Sequence, residues 1–224
     1  MLYDKPVFKP AGDRALLVEA GDTVHRLVNR KVREMFISLA QQPIPGVIER
    51  IPAYRSLMVV YDPLVISADL LKEKLSLIYE TSGGSQLPPP RTIEIPVVYG
   101  GEYGPDLEWV ASYHGLSPEE VIRLHSGSEY QVYMIGFSPG FPYMGDLPPE
   151  LVTPRRETPR VKVPKGSVAI AQGQTGIYPT SSPGGWHILG RTSLSLFDAA
   201  KWPPTPLEMG DLVRFVPVSE PGSS

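Results

Sequence analysis

Cysteine is absent from the 224 residues of this chain, which excludes thiol nucleophiles, disulfides and cysteine ligands for a metal. No apolar run approaches the roughly 20 residues that a membrane-spanning helix needs. The N-terminal segment 1–6 also lacks the apolar core of an export signal. We therefore expect a cytoplasmic protein without a membrane segment.

An excess of one charge is also missing, since 21 Lys and Arg are set against 24 Asp and Glu. This balance disfavours nucleic acid and anionic membranes as partners. The sequence contains no His-Glu-x-x-His zinc motif, no Gly-x-Ser-x-Gly nucleophile motif, no phosphate-binding loop ending in Lys-Ser/Thr and no dinucleotide fingerprint. A metalloenzyme and a serine hydrolase are therefore disfavoured, and we expect no bound metal.

Glycine and proline are scarce in the first part of the chain, where only three of the 21 glycines and six of the 26 prolines precede residue 83. The segment 81–90 begins with flexible Gly and Ser residues and ends with three stiff prolines. This break in composition predicts two domains, residues 1–84 and residues 85–224.

The first part has the pattern strand, helix, strand, strand, helix. Its predicted strands are 15–19, 47–51 and 57–61. Two amphipathic helices are predicted between and after them, capped by Asp22 and Ser67. This order is typical of a split βαβ layer with helices on one face. A further strand at 93–98 either completes that sheet or opens the second domain.

The second part consists of shorter predicted elements. The helices are 105–111 and 117–125, and the strands are 130–137, 167–171, 186–189, 193–197 and 212–216. The second helix begins with a capping box, Ser117-Pro118-Glu119-Glu120. Short strands separated by turn residues predict a small β-barrel.

Four loops between residues 136 and 192 combine Gly or Pro with aromatic and polar residues. Because glycine lets a backbone approach a ligand and proline holds a loop in one shape, these loops predict a pocket. The aromatic residues expected in its substrate-binding wall are Phe141, Tyr143, Tyr178 and Trp186. We expect Phe137 to lie in the core, and the loop around Ser138 and Gly140 to bind an anion through backbone N–H groups.

His187 and Arg191 are the candidate catalytic residues. An imidazole acts as a general acid or base near neutral pH, and a guanidinium offers a planar fork to an anion. If 186–189 is a strand, His187 and Leu189 share one face, and His187 points to the barrel mouth. The alternative is a core histidine satisfied by the backbone. The other three histidines are interpreted as surface or packing residues.

Polar side chains near these residues are candidates for substrate binding. They are Arg155, Arg156, Arg160, Gln172 and Gln174. Segment 155–165 contains five cations and one carboxylate, which favours a local anion site. The alternatives are ion pairs with nearby acids for the arginines and turn hydrogen bonds for the glutamines.

Several motifs resemble one family over nearly the whole chain. Gly-Phe-Ser-Pro-Gly-Phe-Pro-Tyr at 136–143 and Pro-Gly-Gly-Trp-His-Ile-Leu-Gly-Arg-Thr at 183–192 resemble the hallmark motifs of the 5-oxoprolinase B-subunit family. This is also the KipI family of sporulation-kinase inhibitors, and subunit 1 of the allophanate-hydrolase-type carboxyltransferase domain. Segments 12–19, 51–56 and 95–107 resemble other parts of the same family.

The resemblance implies an α+β protein, with a small ferredoxin-like first domain and a cyclophilin-like β-barrel second domain that includes residues 93–98. It implies a heteromeric complex with partner subunits of the A type and of the KipA-like C type. That complex opens 5-oxo-L-proline to L-glutamate at the expense of ATP. We expect ATP to be bound by the assembled complex, and neither a metal nor biotin by this chain. No prolyl isomerase activity is implied, since a fold does not carry a function.

Two other functions remain open from the sequence. One is a regulatory module that inhibits a sensor histidine kinase. The other is a carboxyltransferase subunit for urea-derived substrates, which needs a biotin carboxylase and a biotin carrier as partners. Reconstitution with each set of partners separates the three hypotheses.

Overall fold

Residues 1–82 and 87–219 are described by the computed structural model. The chain divides into two units, Met1–Pro89 and Pro90–Ser224. The domain boundary predicted between residues 84 and 85 lies outside the described residues and stays a prediction.

The first unit is a four-stranded antiparallel sheet with two helices. Its elements are β1 (Leu2–Pro10), β2 (Ala15–Gly21), α1 (Arg26–Gln41), β3 (Val47–Pro52), β4 (Ser56–Tyr61) and α2 (Ala68–Thr81). The strand order is β1-β2-β4-β3. The pattern predicted from β2 to α2 is confirmed, but β1 was not predicted. It occupies the sheet edge beside β2 that residues 93–98 would take in a complete split βαβ layer.

Side chains cap the helices of this unit. Ser67 Oγ accepts a hydrogen bond from the Leu70 N–H at 3.3 Å, as predicted for α2. The prediction that Asp22 caps α1 is wrong, because the helix begins only after His25, whose Nδ1 accepts from the Leu27 N–H at 3.2 Å. Asp22 instead pairs with the N-terminal amine.

The second unit contains a closed seven-stranded barrel. Its barrel strands are β5 (Thr92–Tyr99), β6 (Glu129–Ile135), β7 (Pro142–Gly145), β9 (Ser167–Ala171), β10 (Gln174–Ile177), β12 (His187–Arg191) and β13 (Leu212–Pro217). Their order is β10-β7-β6-β13-β5-β12-β9, with β5 and β13 parallel. Its other elements are α3 (Leu107–His114), α4 (Pro118–Ser126) and the pair β8 (Arg160–Val163) and β11 (Ser182–Gly184). The α+β fold with a C-terminal barrel is confirmed.

The strand predicted at 193–197 is wrong. The Leu194 N–H donates to Thr192 Oγ1, and the Ser195 hydroxyl donates to the Phe197 carbonyl, each at 3.2 Å. Such local side-chain bonds offer the backbone an alternative to sheet pairing. The segment therefore follows β12 as irregular structure despite its alternating sequence.

Side-chain alternation along β9 separates two apolar clusters. Val168 and Ile170 belong to the barrel core, to which α3 and α4 also contribute. Ala169 and Ala171 belong to a second cluster, together with Trp186. The barrel interior is thus filled by side chains, and the aromatic residues of the predicted pocket gather in the other cluster.

Candidate functional site

Four predicted aromatic residues line one cavity of about 390 Å³, here called the aromatic cavity. Its lining residues are Phe137, Phe141, Tyr143, Arg155, Arg156, Pro159, Tyr178, Pro183, Gly184, Gly185 and Trp186. They come from β7, from β11 and from loops 136–141, 154–159 and 185–186, and Tyr178 directly follows β10. The volume lies within the range of about 300–1,000 Å³ that is usual for ligand clefts.

The rings around this cavity pack edge to face about Phe141. Its centroid lies 5.2 Å from that of Tyr178 and 5.6 Å from that of Trp186, with planes 82° and 87° apart. Glycine makes room for them, since a Cβ at Gly176 would lie 2.8 Å from Phe141 Cζ. Burial raises the pKa of Tyr178, and also that of Tyr143. Both phenols are therefore protonated at neutral pH.

Phe137 is held out of the core, so the prediction that it lies there is wrong. Its side chain is 63% exposed and its φ is 65°, a left-handed value that is uncommon for a bulky residue. The Ser138 N–H donates to the Gly136 carbonyl at 2.7 Å, which closes a tight γ-turn around Phe137. The turn places this ring at the aromatic cavity, where its plane lies at 77° to that of Phe141.

In the loop predicted to bind an anion, three backbone N–H groups donate hydrogen bonds to carbonyls of the loop itself. Besides the γ-turn bond, the Phe141 N–H donates to the Ser138 carbonyl and the Gly136 N–H donates to the Phe141 carbonyl, each at 3.0 Å. Gly140 has a φ of 84°, and a Cβ there would meet the Leu196 carbonyl. These groups shape the loop, and anion binding by Ser138 and Gly140 stays a prediction.

Asp106 is a residue of this region that the sequence pattern did not reveal. Its carboxylate is buried and accepts hydrogen bonds from Arg156 at 2.9 Å, from both terminal nitrogens of Arg160 at 2.7 and 2.8 Å, and from the Ile188 N–H at 2.7 Å. These contacts tie the segment before β8 to α3 and β12. Arg156 and Arg160 therefore form the ion pairs that the sequence analysis gave as the alternative to substrate binding. The feature of the sequence that could have drawn attention to Asp106 is its position just before α3.

Arg155 differs from its neighbours. It lines the aromatic cavity, and in the described part of the chain it has no carboxylate partner. It also lines a second cavity of about 470 Å³, here called the histidine cavity. That cavity is lined by Trp109, Tyr113, Pro154, Arg155, Arg156, Glu157, Thr158 and His187. Segment 154–159 therefore separates the two cavities, and Arg155 faces both.

His187 lies in the histidine cavity and not in the aromatic one. Its ring stacks flat on Trp109, with centroids 4.4 Å apart, and its Nε2–H donates to the Pro154 carbonyl at 3.0 Å. Burial lowers the pKa of His187, so the ring is neutral at pH 7. Leu189 belongs to the barrel core and Ile188 to the second apolar cluster, which contains Trp186, and this agrees with the predicted alternation.

Three other predicted residues lie apart from the aromatic cavity. Arg191 lines a separate cavity of about 270 Å³, where its guanidinium lies 5.2 Å from the Tyr103 ring centroid. Gln172 is exposed in the turn between β9 and β10, with a φ of 54°, and its N–H donates to the Thr153 carbonyl. Gln174 begins β10. The structure thus brings the aromatic residues together with Arg155 and Arg156, but not with Arg191 or the glutamines.

Within residues 1–82 and 87–219, no cluster of three His, Asp or Glu side chains is arranged to hold a metal ion. Among the same residues, no helix has the length and apolar character needed to cross a membrane.

Residues 6–207 match the family described as carboxyltransferase domain, subdomain C and D. The chain belongs to this family. It is 45% identical over 223 residues to the B subunit of 5-oxoprolinase from Bacillus subtilis (strain 168), covering 93% of this chain and 91% of that protein.

Two solved structures share the fold of this chain. TTHA0988 is 38% identical, with a TM-score of 0.81 over 94% of this chain and 41% of that one, so this chain spans less than half of that protein. The urea carboxylase of Kluyveromyces lactis gives a TM-score of 0.76 over 98% of this chain and 23% of that one. At 20% identity, that likeness shows the fold alone.

Proposed function

We propose that this chain is the B subunit of an ATP-dependent 5-oxoprolinase, which opens 5-oxo-L-proline to L-glutamate. The observation that carries the proposal is 45% identity to a 5-oxoprolinase B subunit over nearly the full length of both proteins. The chain acts in the cytoplasm, in complex with partner subunits of the A type and of the KipA-like C type.

The aromatic cavity is the part of this chain that we propose to bind the lactam substrate. Its ring-lined wall suits a small cyclic molecule, and Arg155 supplies a cation that has no carboxylate partner among the described residues. His187 contributes by positioning, because its bond to the Pro154 carbonyl holds the residue that precedes Arg155. The catalytic role predicted for Arg191 stays a separate prediction, since Arg191 lines another cavity.

Among the described residues, the cations close to the aromatic cavity suit a triphosphate poorly. A triphosphate needs several free positive groups, whereas Arg156 and Arg160 are already engaged by Asp106. We therefore propose that the partner subunits provide most of the ATP site. ATP activates the stable lactam bond when it is bound. The residues of this chain bind and orient the lactam.

Reconstitution with the partner subunits tests this function. Glutamate release from 5-oxo-L-proline should require ATP and all three subunits, and this chain alone should have little or no activity. ATP-coupled turnover by the isolated chain would contradict the proposed sharing of the site. An inactive complex of the correctly assembled subunits would contradict the function itself.

A further inference from the structure

We infer that the aromatic cavity selects a small ring compound with one carboxylate, which Arg155 binds while Phe137 covers the ring. The inference rests on the proposed function and concerns how this chain would recognise the substrate. It assigns a binding role to Phe137, which the sequence analysis places in the core.

The conformation of Phe137 is the first observation behind this inference. A large apolar ring is 63% exposed and sits in a left-handed turn that favours glycine. Three backbone hydrogen bonds within 136–141 keep the loop in this shape. Uncommon backbone conformations of this kind are concentrated at ligand sites. The ring meets Phe141 at 77°, and its exposure leaves apolar surface that a bound ring would cover.

The charges around the cavity are the second observation. Its lining cations are Arg155 and Arg156, and Asp106 already accepts a hydrogen bond from Arg156. Arg155 has no carboxylate partner among the described residues, and it acts electrostatically on the phenols of Tyr143 and Tyr178. One unpaired guanidinium matches one carboxylate through a bidentate contact. A phosphate dianion would need further free donors, so a monoanion is the better match.

The three tryptophans provide a direct test by NMR. Trp186 lines the aromatic cavity, Trp109 lines the histidine cavity, and Trp202 is 94% exposed. Their indole N–H signals are assigned in the ¹⁵N-labelled full chain with Trp→Phe variants. The chain, alone and with its C-type partner, is titrated with 5-oxo-L-proline and with 2-pyrrolidinone, the same ring without a carboxylate. We expect 5-oxo-L-proline to shift the Trp186 signal, and 2-pyrrolidinone to bind about tenfold more weakly or worse.

Variants of Arg155 and Phe137 test carboxylate binding and covering of the ring separately. Arg155→Gln should remove the preference for the acid over the neutral lactam, and Arg155→Lys should restore only part of it, because lysine lacks the fork. Phe137→Ala should weaken both ligands, by about tenfold. Arg214→Gln and Val161→Ala are the matched controls, since both residues are exposed and neither lines the aromatic cavity. Both controls should bind 5-oxo-L-proline like the unmodified chain.

The outcomes distinguish this inference from the proposed function. A Trp186 signal that stays unmoved by 5-oxo-L-proline, with and without the C-type partner, overturns the inference. Unchanged ligand preference in Arg155→Gln, or unchanged binding in Phe137→Ala, overturns it as well. An active complex with an unmoved Trp186 signal refutes only the inference, whereas a shifted signal with an inactive complex refutes only the function.

Discussion

His187 connects two parts of the candidate site through one hydrogen bond. Its ring is held between Trp109 and the Pro154 carbonyl, directly before Arg155. In this position His187 is linked to Arg155 through Pro154, and it does not line the aromatic cavity. We therefore propose a positioning role for His187, and the catalytic role expected from the sequence stays a prediction.

Replacing His187 should reveal this positioning role. His187→Ala leaves the Pro154 carbonyl without its donor, which should lower stability by about 1–3 kcal/mol. Displacement of Arg155 should also raise KM of the reconstituted complex more than it lowers kcat. His187→Gln keeps a donor and should recover part of both losses. Thermal unfolding and steady-state kinetics measure the two effects, and wild-type kinetics in His187→Ala would contradict the role.

His125 should make folding stability depend on pH. It is fully buried, bonded to Tyr99 and Thr175, and burial lowers its pKa to about 3. The unfolded imidazole takes up a proton near pH 6.5, whereas the folded one stays neutral, so stability is lost as pH falls below about 6.5. Between pH 6.5 and 5, urea unfolding should show a loss of about 2 kcal/mol.

Glutamine variants attribute this loss to His125. His125→Gln should flatten the pH dependence, because the amide stays neutral throughout the range. His25→Gln, at the exposed start of α1, should keep it. An unchanged slope in His125→Gln would assign the effect to other groups, such as the buried His187, whose pKa is also lowered.

Among the secondary-structure elements, those with strong local signals were predicted best. The capping box of α4 and the Ser67 cap of α2 are present as expected. Strand β1 was not predicted from the sequence because most of its residues are exposed and two are proline. Proline of this kind is tolerated in an edge strand. The short strands β8 and β11 pair with each other across the chain, and no local pattern specifies that pairing.

The contacts of Asp106 tie three elements of the second unit, so its loss should be costly. Asp106→Asn removes the charge that Arg156 and Arg160 share, and replacing one partner of a buried ion pair costs about 3 kcal/mol or more. Both arginines are partly exposed, which reduces the expected loss to about 2–3 kcal/mol. Urea unfolding measures it, with Asp198→Asn as a control because its pair with Lys201 is exposed. Equal stability of the two variants would contradict the structural role of Asp106.

For the whole molecule, the two-domain organisation predicts that the barrel folds by itself. The barrel has its own core of buried residues, drawn from strands and helices after residue 90. A shortened chain of residues 86–224 should therefore be soluble and unfold cooperatively. Circular dichroism and thermal unfolding decide this, and a disordered fragment beside a folded intact chain would contradict the two-domain prediction.

The candidate site was only partly predictable from the sequence, for a reason that concerns the whole fold. The aromatic residues could be found because each lies in a Gly- or Pro-rich motif. Which cavity a side chain enters depends on strand pairing, so the separation of His187 and Arg191 from Trp186 could not be deduced from their spacing. The exposure of Phe137 likewise follows from its left-handed backbone conformation, and the glycines in the surrounding sequence do not specify which residue adopts it.

The position of β13 between β5 and β6 has a consequence for synthesis on the ribosome. Strand β13 pairs with β5 in parallel and with β6 in antiparallel orientation, and it is translated after every other barrel strand. A nascent chain that has not yet released residues 212–217 therefore leaves both neighbours with an open edge. Open strand edges invite association with other nascent chains. At translation rates of about 5–20 residues per second, this exposure lasts on the order of ten seconds, and the barrel closes only when its last strand emerges.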